Sequence, residues 1–180
     1  MSGKLIFVSG LTGSGKTTLV QKVLGAVENL EVLLTYTTRP QRDGEQDSYE
    51  YVFVTDDEYI WMKSASLKWD ETIFGEYKYA SDANKYIEDL GNGVNIIVSV
   101  TPDLGDIQEM TGVYGVTPVS IWINTPKDVA MNRIKDDPRR AGRQEDETVK
   151  DHFDILFDPI GILEKDSESF IDLIRKITLT

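Results

Sequence analysis

The sequence predicts an α/β protein: a parallel sheet with helices on both faces, interrupted by a small β-rich insert and by a basic lid. Three observations predict it. Short apolar runs alternate with stretches whose apolar residues recur at helical spacing, the pattern of parallel strands joined by crossover helices. A complete G-x-x-x-x-G-K-[ST] motif, Gly10-Leu11-Thr12-Gly13-Ser14-Gly15-Lys16-Thr17, lies between the first run and the first helix. The alternation fails over residues 37–80, where short strand-like runs surround a single helix.

Leu5-Ile6-Phe7-Val8 is apolar throughout, as expected of a strand buried on both faces. The motif follows it, and makes the sheet a P-loop NTPase-type one. Its glycines let backbone N–H groups curl around a phosphate with no Cβ in the way. The next helix aims its positive dipole end at the same anion. Lys16 would reach the β- and γ-phosphates of a nucleoside triphosphate, and the Thr17 hydroxyl would ligate Mg²⁺. Gly10, Thr12, Gly13, Ser14, Gly15, Lys16, Thr17 and Thr18 are the expected ATP-binding residues. Leu19, Val20, Val23, Leu24 and Val27 form the apolar stripe of the first helix.

Val32–Tyr36 reads as the next strand. Within the insert, Tyr49–Val54, Leu67–Trp69 and Glu76–Tyr79 read as strands, and Thr55-x-x-Glu58 is a capping box opening a helix. Such an insert would sit beyond the carboxyl ends of the core strands, where open α/β sheets bind ligands. Ala83, Tyr86, Ile87 and Leu90 mark a helix stopped by Gly91-Asn92-Gly93. Val94–Val100 and Val119–Ile123 read as core strands. Thr125-Pro126 is expected to open a helix, with the hydroxyl as N-cap and proline at the first helical position. Ile160–Leu163 reads as a last strand, and Phe170, Ile174 and Ile177 as a C-terminal helix.

Composition narrows the functions. With 180 residues the chain is long enough for one domain with a substantial core. The net charge of −12 argues against binding nucleic acid or an anionic membrane surface. The absence of cysteine removes disulfides, thiolate metal sites and a thiol nucleophile. His152 is the single histidine, expected on a helix surface, so histidine-based catalysis is not expected. No signal pattern or long apolar run is seen, and a cytoplasmic location is expected. Against this acidic background, Arg133, Lys135, Arg139, Arg140 and Arg143 cluster within eleven residues, 133–143, as an anion clamp or lid would require.

The insert carries the most specific pattern. Thr37-Thr38-Arg39-Pro40-Gln41-Arg42-Asp43-Gly44-Glu45 is followed by Tyr51-Val52-Phe53-Val54. This resembles the GMP-binding region of the guanylate kinase family, T-T-R-x-x-R-x-G-E and then Y-x-F-V. The likeness runs on through Thr55–Glu58, Trp69, Phe74-Gly75 and the lid, and covers most of the chain. It implies a single domain, 1–180: a core of 1–36, 81–132 and 147–180, a monophosphate-binding insert of 37–80, and a lid of 133–146. It implies that Arg39, Arg42 and Tyr51 hold the phosphate of a nucleoside monophosphate. Two guanidinium forks and a phenol are suited to a dianionic phosphate. Thr35 matches a position, usually serine, that contacts guanine. Tyr79 and Ser81 resemble the family's Tyr-Gly-Ser segment after a one-residue shift, with Ala80 in place of glycine and Tyr77 as a competing candidate.

Three positions depart from the pattern. Lys68 stands where the family has a base-reading glutamate, and Asp70 or Glu71 would supply the carboxylate. Ser99-Val100-Thr101 stands in place of a D-x-D involved in base recognition and the metal site, with Asp103 nearby but out of register. His152 replaces a helix arginine. The implied reaction is transfer of the γ-phosphoryl group of ATP to GMP or dGMP, with Mg²⁺. The attacking phosphate oxygen is already anionic, so no general base is needed; Lys16, Arg39, Arg139, Arg140 and Arg143 are the expected catalytic residues. The alternatives are a kinase for another deoxynucleotide or for ribose 1,5-bisphosphate, which the intact Arg42 and Tyr51 disfavour, and a non-catalytic binding module of guanylate kinase type. Expected partners are the small-molecule substrates ATP and GMP or dGMP, with neither nucleic acid nor membrane, in a monomer or homodimer.

Overall fold

The computed structural model describes residues 2–41, 50–100, 104–137 and 145–179. β1 (Leu5–Ser9) is fully buried and lies at the centre of a five-stranded sheet. Its partners are β7 (Asn95–Ser99) and β8 (Val119–Ile123), with β2 (Leu30–Val32) and β9 (Ile155–Phe157) at the edges. Every pairing in this sheet is parallel.

The uninterrupted apolar strands follow from the covering layers. Leu5 and Phe7, with Ile96, Val98 and Trp122, face one cluster that includes Tyr86 and Leu90 of α3 (Ala83–Gly91) and Met110 and Tyr114 of α4 (Leu104–Tyr114). Ile6 and Val8, with Ile97, Ile121 and Ile123, face the other. There they meet Leu19, Val20 and Val23 of α1 (Lys16–Leu24) and Phe170, Ile174 and Ile177 of the C-terminal helix α6 (Leu163–Thr178). Alternate residues of one strand serve opposite layers, so both parities are mainly apolar, and buried exceptions such as Asn95 and Ser120 are hydrogen-bonded, to the Lys4 N–H and to Asp154 respectively. Fully burying the apolar side chains contributes about 1.5–3 kcal/mol each.

The run Val32–Tyr36 is not one strand. The chain leaves the core sheet after β2 and enters a second sheet at β3 (Thr35–Thr37). The Tyr86 hydroxyl accepts from the Leu34 N–H at 2.8 Å and holds the break. The second sheet has the order β4-β3-β6-β5, with β4 at Tyr51–Phe53, β5 at Trp69–Phe74 and β6 at Tyr77–Asp82. β3 and β4 are parallel; β6 runs antiparallel to both β3 and β5. Gly75, at φ +63°, turns the β5–β6 hairpin. The capping box forms as expected and starts α2 (Asp56–Ala65), which covers one face of this sheet.

Two further expectations are corrected. Ile160–Leu163 is not a strand: the Ile160 and Gly161 N–H groups donate to the Asp166 carboxylate at 2.8 and 3.0 Å, and form the entry to α6. The last core strand is Ile155–Phe157, paired with β8. Nor does Thr125 cap α5 (Lys127–Ile134), which has no side-chain cap. The Thr125 hydroxyl instead donates to the Ser14 carbonyl at 2.8 Å. His152 is exposed at the end of a short 3₁₀ helix, Glu147–His152.

Candidate active site

The phosphate loop leaves the carboxyl end of β1, between β7 and β8. Helix α5 lies behind it. Arg133 donates to the Gly13 and Ser14 carbonyls at 3.1 and 3.2 Å, and Thr125 holds the Ser14 carbonyl a second time. With those carbonyls drawn toward α5, the loop can turn N–H groups the other way. At Gly13, φ is +86°, and a Cβ would fall inside van der Waals contact of the Ala130 carbonyl oxygen of α5. α1 has Gly15 as N-cap, no side-chain cap bond and no acidic residue in its first turn, which suits an anion at that end.

The Lys16 ammonium lies over the loop, donating to the Gly10 carbonyl and to the Leu11 carbonyl at 3.0 Å. Thr17 and Thr18 are exposed on the first turn of α1. Glu145 is a residue that sequence reasoning missed: its carboxylate accepts from the Thr12 N–H at 2.5 Å and from the Thr12 hydroxyl. No sequence signal marks it, because the contact joins segments 133 residues apart.

The second sheet sorts the other candidates by face. Side chains alternate along a strand, and cross-strand partners share a face. The register pairs Thr35 with Tyr51, Thr37 with Tyr79, and Asp70 with Ser81. Thr35, Tyr51, Asp70, Tyr79 and Ser81 therefore share one face, together with Phe53 and Tyr77. The Tyr51 and Tyr79 rings meet edge to face with centroids 6.4 Å apart. The Arg39 guanidinium lies 5.0 Å over the Phe53 ring and donates to the Pro40 carbonyl at 3.0 Å.

The opposite face carries Trp69 and Glu71. Glu71 accepts from the Tyr59 hydroxyl at 2.7 Å and from Lys63 at 2.9 Å, both on α2. These bonds hold its carboxyl below the usual range. Trp69 stacks on Tyr36 at 5.8 Å and donates to the Tyr59 hydroxyl at 3.3 Å. Glu71 thus ties the sheet to α2, and Asp70 is the carboxylate on the candidates' face. Asp70 accepts from the Tyr114 hydroxyl at 3.1 Å, and that hydroxyl lies 2.8 Å from the Ser81 hydroxyl. Arg42, Arg139, Arg140 and Arg143 lie outside the described residues, as do Thr101 and Asp103.

Burial pushes the Asp70 carboxyl above the usual range, and the hydrogen bond from Tyr114 opposes it. A carboxyl whose folded pKa exceeds its unfolded one favours the fold while protonated, and that contribution is lost as pH rises through the folded value. Ionised Asp70 therefore costs stability at neutral pH. Asp70→Asn keeps the size and an oxygen for Tyr114. Its melting temperature at neutral pH should equal or exceed the parent's, with the gain shrinking toward about pH 4. A fall of more than about 5 °C at neutral pH would show the carboxylate to be holding the fold.

Comparison with known proteins matches the guanylate kinase family model over residues 2–172. The chain belongs to the guanylate kinase family. A guanylate kinase of Desulfotalea psychrophila is 27% identical over 150 residues, covering 82% of this chain and 70% of that protein. One of Nitrosococcus oceani is 31% identical over 139 residues, covering 75% of this chain and 66% of its own length. The chain thus aligns with about two thirds of the length of these relatives. The crystal structure of a guanylate kinase from Anaplasma phagocytophilum superimposes with a TM-score of 0.69 at 18% identity, covering all of this chain and 89% of that one. The fold is that of a guanylate kinase.

Against the guanylate kinase pattern, the departure at Lys68 now has a physical account. Its ammonium donates to the Val113 carbonyl near the C-terminal end of α4, where a cation complements the helix dipole. Asp70 lies two residues further along, within β5 and on the candidates' face.

Proposed function

We propose that the protein transfers the γ-phosphoryl group of ATP to a nucleoside monophosphate, GMP or dGMP, giving the diphosphate and ADP. One observation carries the reading. A complete phosphate loop, braced by α5, accompanies a second sheet that gathers Thr35, Tyr51, Asp70, Tyr79 and Ser81 on one face, with Arg39 over Phe53 beside them.

An oxygen of the acceptor phosphate forms the new bond to the γ-phosphorus as the bond to the β–γ bridging oxygen breaks, and ADP leaves. Lys16 and the loop N–H groups hold the donor phosphates; Arg39, Arg42 and Tyr51 hold the acceptor. Arg139, Arg140 and Arg143 neutralise charge spread over the phosphoryl group in transit. Among the described residues no group of three or more histidine, cysteine or acidic side chains could hold a metal ion. The exposed Thr17 hydroxyl fits an Mg²⁺ that arrives with the triphosphate, since that ion takes few protein ligands and keeps phosphate and water. When bound, it would offset charge on the β- and γ-oxygens. Among the described residues no helix is long and apolar enough to cross a membrane. We place the enzyme in the cytoplasm, as a monomer or homodimer.

With Lys68 engaged on α4, Asp70 is left to read the guanine N1–H and 2-amino group, so GMP or dGMP should be preferred with reduced selectivity. The test is ADP formation from ATP, with and without Mg²⁺, against all ribo- and deoxynucleoside monophosphates. A best substrate with another base would overturn the base assignment and keep the kinase. Tight ATP binding with no turnover on any monophosphate would overturn the kinase.

A further inference from the structure

Tyr114 ends α4 in the core layer, is 3% exposed, and reaches across to the second sheet. Its hydroxyl lies 2.8 Å from the Ser81 hydroxyl and 3.1 Å from Asp70 Oδ2. Ser81 and Asp70 are cross-strand partners in the β5–β6 hairpin. The neighbouring Val113 carbonyl receives Lys68, so the end of α4 grips the same hairpin twice.

Counting protons orders this cluster. An ionised carboxylate only accepts, so Tyr114 donates to Asp70. Tyrosine has one hydroxyl hydrogen, so the bond between Tyr114 and Ser81 is donated by Ser81. Serine also has one. The chain Ser81 to Tyr114 to Asp70 therefore uses both hydroxyl hydrogens and leaves Asp70 Oδ1 outside it, with lone pairs to offer. Burial pushes the Tyr114 phenol far above its ordinary value, so it stays a donor.

We propose that Tyr114 is a positioning residue for base specificity: it fixes Asp70 as an oriented, acceptor-only group, so the site takes a base edge bearing adjacent N–H donors. An edge with a ring-nitrogen acceptor at that place would meet lone pairs and leave the carboxylate unpaired. The inference rests on the reading of Asp70 as the group that faces the acceptor's base.

The test is Tyr114→Phe, which keeps the ring and removes the hydroxyl. GMP and AMP are compared as acceptors, with ATP as donor. The expected result is a KM for GMP raised about tenfold, a fall of similar size in the GMP-to-AMP ratio of kcat/KM, and kcat and the KM for ATP within about twofold of the parent. A packing role alone would lower the melting temperature and leave the ratio unchanged, which overturns the proposal. A second variant tests orientation. In Asp70→Asn, Tyr114 should capture the amide oxygen and turn the NH₂ toward the base. Asp70→Asn alone should then lose more discrimination than the Tyr114→Phe/Asp70→Asn double variant, and equal ratios in the two overturn the proposal. Should the parent phosphorylate no monophosphate, the kinase reading fails separately. The Tyr114 comparison is then made by calorimetric binding of GMP and AMP, with the same expected and overturning ratios.

Discussion

Lys16→Ala is expected to slow phosphoryl transfer about 10²-fold or more while leaving the melting temperature within about 3 °C of the parent's. The ammonium is half-exposed over the loop and donates to the Gly10 and Leu11 carbonyls. Neither bond belongs to a helix or a sheet ladder, so the fold loses little. The reaction loses a cation placed where charge accumulates between the β- and γ-phosphates, which is worth several kcal/mol in a water-poor site. The loss should fall mainly on kcat, since the charge matters most during transfer. Turnover within threefold of the parent, with unchanged substrate constants, would remove Lys16 from the mechanism.

Gly13→Ala should cost about 3 kcal/mol or more of stability and abolish measurable ATP binding. Two effects combine at this position. The backbone at φ +86° lies where a side chain is strained, and the added methyl would meet the Ala130 carbonyl of α5. Relief requires either the loop or α5 to move, and either motion disrupts the Arg133 bonds to the Gly13 and Ser14 carbonyls. Gly25→Ala is the control, because a Cβ there meets nothing within 4 Å. Thermal unfolding and ATP titration of both variants check the claim. A Gly13→Ala protein that binds ATP like the parent would show that the loop is not held at this point.

What the sequence made legible was local chemistry. The phosphate loop, the capping box at Thr55 and Glu58, and the uninterrupted apolar strands each depend on residues close together in the chain. Other features turn on partners the sequence does not place side by side. Ile160–Leu163 looks like a strand because it is apolar, but Ile160 is 67% exposed and the segment is organised by Asp166. Ile155–Phe157 is three residues long between aspartates, too short to stand out. Thr125 beside Pro126 has the form of a cap, and a carbonyl 111 residues away takes its hydroxyl. The choice between Asp70 and Glu71 needed the register of β5, since adjacent residues point to opposite faces. Tyr114 and Glu145 carried no sequence signal, because their contacts form only when distant layers meet.

The pairing of β5 has a bearing on how such a site could change over generations. Asp70 and Glu71 are neighbouring acids on opposite sides of one ribbon, one facing the candidate pocket and the other bound to Tyr59 and Lys63. A single codon gained between Glu71 and the turn at Gly75, with that turn kept, would slide the start of the ribbon by one pleat and exchange the two acids. The pocket would receive the longer acid, and α2 the shorter one. A lineage could thus retune which base it accepts through an indel rather than a point substitution. The two acids side by side keep a carboxylate facing the pocket through that step.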